Sequence, residues 1–187
     1  MEISEHLQAL CANASVYGAS KVAPIPVESV VVDPRANLKC QVPLCKNYGR
    51  SHMCPPRVMG ADAFLKVLSR YGSGILVQVV QPALPEGPDR EQIAQGQVRK
   101  LNDIVAKLER DAFLFGYRFA AGLGGGPCPL CEECSAIEGK DCRFPFQARP
   151  SMEALGIDVI KTAENAGMPI DLPPRDTYVW TGLLLLD

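Results

Sequence analysis

The sequence predicts an α/β sandwich: a small mixed or parallel sheet with flanking helices and two long cysteine-rich loops. Three observations carry that expectation. Strand-like and helix-like segments alternate along the chain, the pattern of layered α/β folds. Residues 74–81 and 177–186 are near-continuous apolar runs, as expected of strands covered on both faces. The chain has 187 residues, 47% hydrophobic and 21% charged, the balance of one globular domain spanning 1–187 with a substantial core.

Taken in order, residues 3–17 place Ile3, Leu7, Leu10, Cys11 and Ala14 on one helical face, with Ser4 as N-cap and Gly18 beyond the end. Pro24 and Pro26 mark a loop, and Val27–Val32 reads as a strand stopped by Asp33-Pro34. Phe64, Leu65, Val67, Leu68 and Tyr71 have helical spacing in Ala61–Tyr71. The apolar run 74–81 follows as a strand, then a proline-rich loop over 82–88. Asp89, with Gln92 three residues on, forms a reciprocal cap for a long helix. Its stripe of Ala94, Val98, Leu101, Val105, Leu108, Ala112 and Phe115 is a core face or a homodimer face, and Gly116 closes it. Tyr117–Ala121 reads as a short strand, Ser151 and Asp158 start short helices, and Thr177–Leu186 is the last strand. If the strands run parallel, the loops after them gather at one sheet edge.

Composition excludes several functions. The net charge of −2 supplies no basic footprint for nucleic acid, and aromatics at 6% do not make a base-stacking surface. No signal peptide or membrane-length apolar run is read, so the expectation is a cytoplasmic protein without nucleic-acid or membrane partners. Eight cysteines in a reducing compartment then point to metal or redox chemistry rather than disulfides.

Seven of the eight fall in two groups. Cys128, Cys131 and Cys134 have the C-x2-C-x2-C spacing that turns three thiolates toward a common centre, and Cys142 follows within the loop 124–144. That spacing belongs to 4Fe–4S loops, whereas zinc more often uses paired knuckles from two places. Cys40, Cys45 and Cys54 punctuate the loop 40–56, which has no helical or alternating period. Cys11 and His6 are isolated; Cys11 reads as a small core residue. Gly124, Gly125 and Gly126 could bring backbone N–H groups against a cofactor, or merely shape a turn.

Seven thiols leave the count of clusters, one or two, open, along with which one Cys142 serves. Three readings follow. The first is an electron-transfer or redox accessory protein with a redox partner protein. The second is an enzyme whose open iron corner polarises a small anionic substrate, clamped by Arg50, Arg57, Arg143 or Arg149. The third is a zinc-stapled protein-binding module. His52, Glu132, Glu133, Tyr48 and Trp180 lie within or beside these elements and read first as structural or solvated groups.

The runs Cys40-x4-Cys45-x2-Tyr48-Gly49-x4-Cys54-Pro55-Pro56 and Gly125-Gly126-Pro127-Cys128-x2-Cys131-x2-Cys134, with Cys142-Arg143, Ala148–Ala154 and Gly156–Val159, resemble a family of predicted metal-binding proteins with a domain of unknown function, common among anaerobic microbes. The resemblance runs from about residue 25 to the C-terminus and implies metal binding at the cysteines. It implies no particular reaction.

Overall fold

The computed structural model describes residues 5–83 and 87–187; Ser4 and part of the proline-rich loop lie outside them. The element order is α1 (Glu5–Val16), β1 (Lys21–Pro26), α2 (Pro34–Leu38), α3 (Ala61–Leu68), β2 (Ser73–Pro82), α4 (Arg90–Leu114), β3 (Ala121–Leu123), α5 (Val159–Asn165) and β4 (Thr177–Leu186). The four strands lie in the order β1-β2-β4-β3.

Helices cover both faces of this sheet, as an α/β sandwich requires, and the two-residue period of the strands divides the core. Ile75, Val77, Val79, Leu184 and Leu186 face Leu7, Leu10 and Ala14 of α1 and Leu101, Ile104, Val105, Leu108 and Ala112 of α4. Leu76, Leu183 and Leu185 turn the other way, onto Phe64, Leu68, Met152, Leu155, Ile157 and Ala163. Both central strands are therefore largely apolar because both faces are buried, with Gln78 and Thr181 as buried polar exceptions. The α4 stripe goes into the core, and Cys11 packs against the same cluster.

The pairing direction corrects the expected mixed or parallel sheet: β1–β2, β2–β4 and β3–β4 all pair antiparallel. The first strand is also displaced. It is Lys21–Pro26, and Val27–Ser29 forms a 3₁₀ turn where a strand was expected. Pro24 and Pro26 are tolerated because β1 is an edge strand, where one row of N–H groups has no partner to lose. The short strand starts at Ala121 rather than Tyr117. The reciprocal cap of α4 is not formed: Asp89 has helical dihedrals and makes no side-chain cap bond. Asp158 does cap α5, accepting from the Lys161 amide.

Candidate metal centre

In an antiparallel sheet the two cysteine loops have no common strand end to gather at, and the first follows α2 rather than a strand. A backbone zipper brings them together instead. The segment 151–158 is tied on one side to the end of β3: Gly124 N–H donates to the Pro150 carbonyl (2.9 Å) and Met152 N–H to that of Gly124 (3.0 Å). On its other side Asp33 N–H donates to the Gly156 carbonyl and Asp158 N–H to that of Val31, each at 2.8 Å. The chain entering the first loop is thus bonded to the chain leaving the second. Asn37 locks the join, since its Nδ2 donates to the carbonyls of Glu153 and Ala154 while its Oδ1 accepts from the Ala61 amide. Gly156 sits at φ +86°, where a β-carbon would also approach Ala61 Cβ to 2.6 Å, so this join needs glycine.

The loops then touch directly. Arg57 Nη2 donates to the Ala136 carbonyl (3.1 Å), His52 Nε2 lies 2.9 Å from the Lys140 carbonyl oxygen, and Arg50 stands 3.8 Å from Glu133. All seven loop cysteines line three adjoining concavities. Cys40, Cys45 and Cys54 line a cleft of about 890 Å³. Cys45 recurs with Cys128, Cys131 and Cys134 in a second cleft of about 660 Å³. Cys128, Cys131, Cys134 and Cys142 share a small enclosed space of about 20 Å³ with His52. Among the described residues, no three His, Cys, Asp or Glu side chains converge tightly enough to hold a single metal ion.

The thiols are mutually felt. Burial, opposed by a bond from the Ser51 hydroxyl and reinforced by Cys45, Cys40 and Cys128, pushes the Cys54 thiol up to about 11. Burial and then its neighbour Cys45 raise Cys40. Burial also raises Cys128, aided by Cys131, Cys142 and Cys134. Thiols that raise one another in this way are converted to thiolates by a cation placed among them, which reverses the sign of the local field.

The other candidate residues divide. Gly125 and Gly126 line the larger cleft, but the close packing of Gly124 on Asn102 and of Gly125 on β4 also accounts for those two positions. A β-carbon on Gly125 would stand 2.6 Å from the Thr181 carbonyl oxygen. The four arginines all engage protein: Arg57 and Arg143 donate to loop carbonyls, Arg50 lies near Glu133, and Arg149 forms a two-pronged pair with Glu109 at 2.7 Å on each prong. Glu132 and Glu133 are exposed. Trp180 packs against the α1–α4 side of the core, and Tyr48 lines the second cleft.

Sequence reasoning assigned no role to Glu153 or Thr181, both of which line the larger cleft. Glu153 is an exposed residue that lines the cleft, and desolvation there is the leading cause that pushes its carboxyl above the usual range. The motif Ala148–Ala154 was the available signal for Glu153; Thr181, inside an apolar strand, offered none.

An α/β protein whose two cysteine loops are zipped onto one face is the class this architecture defines. The chain belongs to the family of predicted metal-binding proteins (DUF2284), whose model matches residues 23–186. No curated protein and no solved structure matches it. A metal cofactor is therefore suggested by both the family and the cysteines. Among the described residues no helix is long and apolar enough to cross a membrane.

Proposed function

We propose that this protein holds iron–sulfur clusters of the 4Fe–4S type at its paired cysteine loops and serves in electron transfer or as a redox accessory. The observation that carries the reading is the run of adjoining concavities in which Cys45 links the first cysteine group to Cys128, Cys131 and Cys134 of the second. Cys128, Cys131, Cys134 and Cys142 would hold one cube, and Cys40, Cys45 and Cys54 would supply three corners of another. Bound there, a cube supplies one-electron redox chemistry, with a potential set by burial and nearby N–H donors.

One feature favours cubes over zinc: the C-x2-C-x2-C spacing is that of cluster loops. The space of about 20 Å³ between the four thiols of the second loop holds about one water, so that loop has to widen around a cube. Between Pro127 and Pro150 it contains only one 3₁₀ turn, at Ser135–Glu138, and no strand to resist.

The test is anaerobic purification with iron, acid-labile sulfide and zinc counted per chain, together with a visible spectrum. Iron near four or eight with equal sulfide and a broad brown absorbance supports the reading. Stoichiometric zinc without sulfide overturns it.

A further inference from the structure

The cleft of about 890 Å³ beside Cys40, Cys45 and Cys54 has the size and mixed lining of a small-molecule site. Its polar and charged groups say what kind of molecule it fits. Asp33 and Arg35 neutralise each other in a 2.6 Å pair. Glu153, Asp158 and Asp171 remain, with Lys39 as the cleft's other cationic side chain. The four arginines that might have clamped an anion are absent from this lining and engaged elsewhere.

A second observation points to a missing donor. Thr181 is 4% exposed, lines the cleft, and its hydroxyl has no hydrogen-bond partner among the described residues. Directly across the β2–β4 ladder is Gln78, 0% exposed, whose Oε1 is equally unpartnered while its Nε2 donates to the Met168 carbonyl. Buried oxygens without partners are rare and call for explanation. Gly125 and Gly126 share this lining with Glu153, and Gly125 packs on the Thr181 backbone. Ile160, Ile170 and Val179 supply an apolar wall.

We propose that this cleft binds a small organic cation, a primary amine on an apolar body, with its ammonium placed between Thr181 and Glu153. The ammonium donates to the Thr181 hydroxyl, and the excess of carboxylates supplies the favourable field. The apolar body lies along Ile160, Ile170 and Val179. This reading differs at this wall of the site from the anionic substrate that the sequence alone led one to expect. The inference rests on the cleft's own side chains and does not require a particular metal.

The test uses a matched pair of probes on the anaerobically purified full-length chain: 2-phenylethylamine and phenylacetate, which share a body and differ in the sign of the head group. Isothermal titration is expected to show the amine binding at least about tenfold tighter, the scale of one unbalanced charge in a partly solvated site. Thr181→Val and Glu153→Gln should each weaken amine binding at least about threefold, while Thr181→Ser, which keeps the hydroxyl, retains it. Thermal melts identify any variant that fails to fold, and if Thr181→Val does so, Glu153→Gln carries the test. The proposal is overturned if phenylacetate binds as tightly as the amine, if the amine does not bind at millimolar concentration, or if both folded variants bind it as wild type does. Metal analysis of the same samples separates a failure here from a failure of the cluster reading.

Discussion

Replacing Glu109 with alanine should destabilise the fold by about 2–3 kcal/mol. Glu109 lies on α4, and its carboxylate accepts from Arg149 Nε and Nη2 at 2.7 Å each and from the Gly122 amide at 2.7 Å. One side chain thus ties α4 to β3 and to the end of the second cysteine loop. The two partners are 22% and 20% exposed, so the pair is neither a screened surface bridge, worth about 0–1 kcal/mol, nor a fully buried one, whose disruption costs about 3–5 kcal/mol. Removing the carboxylate also leaves the Gly122 N–H and a crowded guanidinium without their acceptor. For a chain of this size the loss corresponds to a melting temperature lower by roughly 5–10 °C. Urea unfolding and calorimetry would measure it, and a double-mutant cycle with Arg149→Ala should show coupling of about 1 kcal/mol or more. A Glu109→Ala change within about 0.5 kcal/mol of wild type, the range of an ordinary surface substitution, would refute the reasoning.

Gly125→Ala places a methyl 2.6 Å from the Thr181 carbonyl oxygen and 3.0 Å from Leu101 Cδ2, and should cost about 1–3 kcal/mol in a thermal melt because the facing backbone cannot yield. Tyr17 donates to Asp111 Oδ2 at 2.7 Å, a bond that first among several causes raises the phenol above its usual 10. Its contribution to stability is therefore complete below about pH 10, and it is lost as pH rises through the higher folded value. Tyr17→Phe should remove that alkaline slope from the pH dependence of unfolding. Cys11→Ser should leave metal content unchanged, since Cys11 packs against the α1–α4 core and lies outside both loops; a fall in metal would show the ligand set to be incomplete.

The central strands and α4 were legible because burial writes itself into sequence: Ile75–Val77 and Leu183–Leu186 are apolar on both faces, and α4 repeats its stripe over six turns. Strand direction was not, because alternating helices and strands imply parallel pairing only when each helix is a crossover within the sheet. Pro24 and Pro26 concealed β1, since a proline signals a break unless the strand is known to lie at an edge. The cysteine groups were visible as motifs, but what joins them is a backbone ladder through 151–158, and backbone hydrogen bonds leave little trace in side-chain pattern. Arg149 looked like an anion clamp because its partner Glu109 is distant in sequence and on another element. Thr181 carried no signal because a lone hydroxyl in an apolar strand is ordinary until its partner proves to be missing.

The account depends most on the two cysteine loops serving a common metal centre. Per-chain iron and sulfide should therefore be counted, under strict anaerobiosis, in two triple variants: Cys40, Cys45 and Cys54 to serine, and Cys128, Cys131 and Cys134 to serine. The account predicts that each triple variant loses iron and sulfide together relative to wild type. Full wild-type content in either one, with the chain still folded, would contradict it.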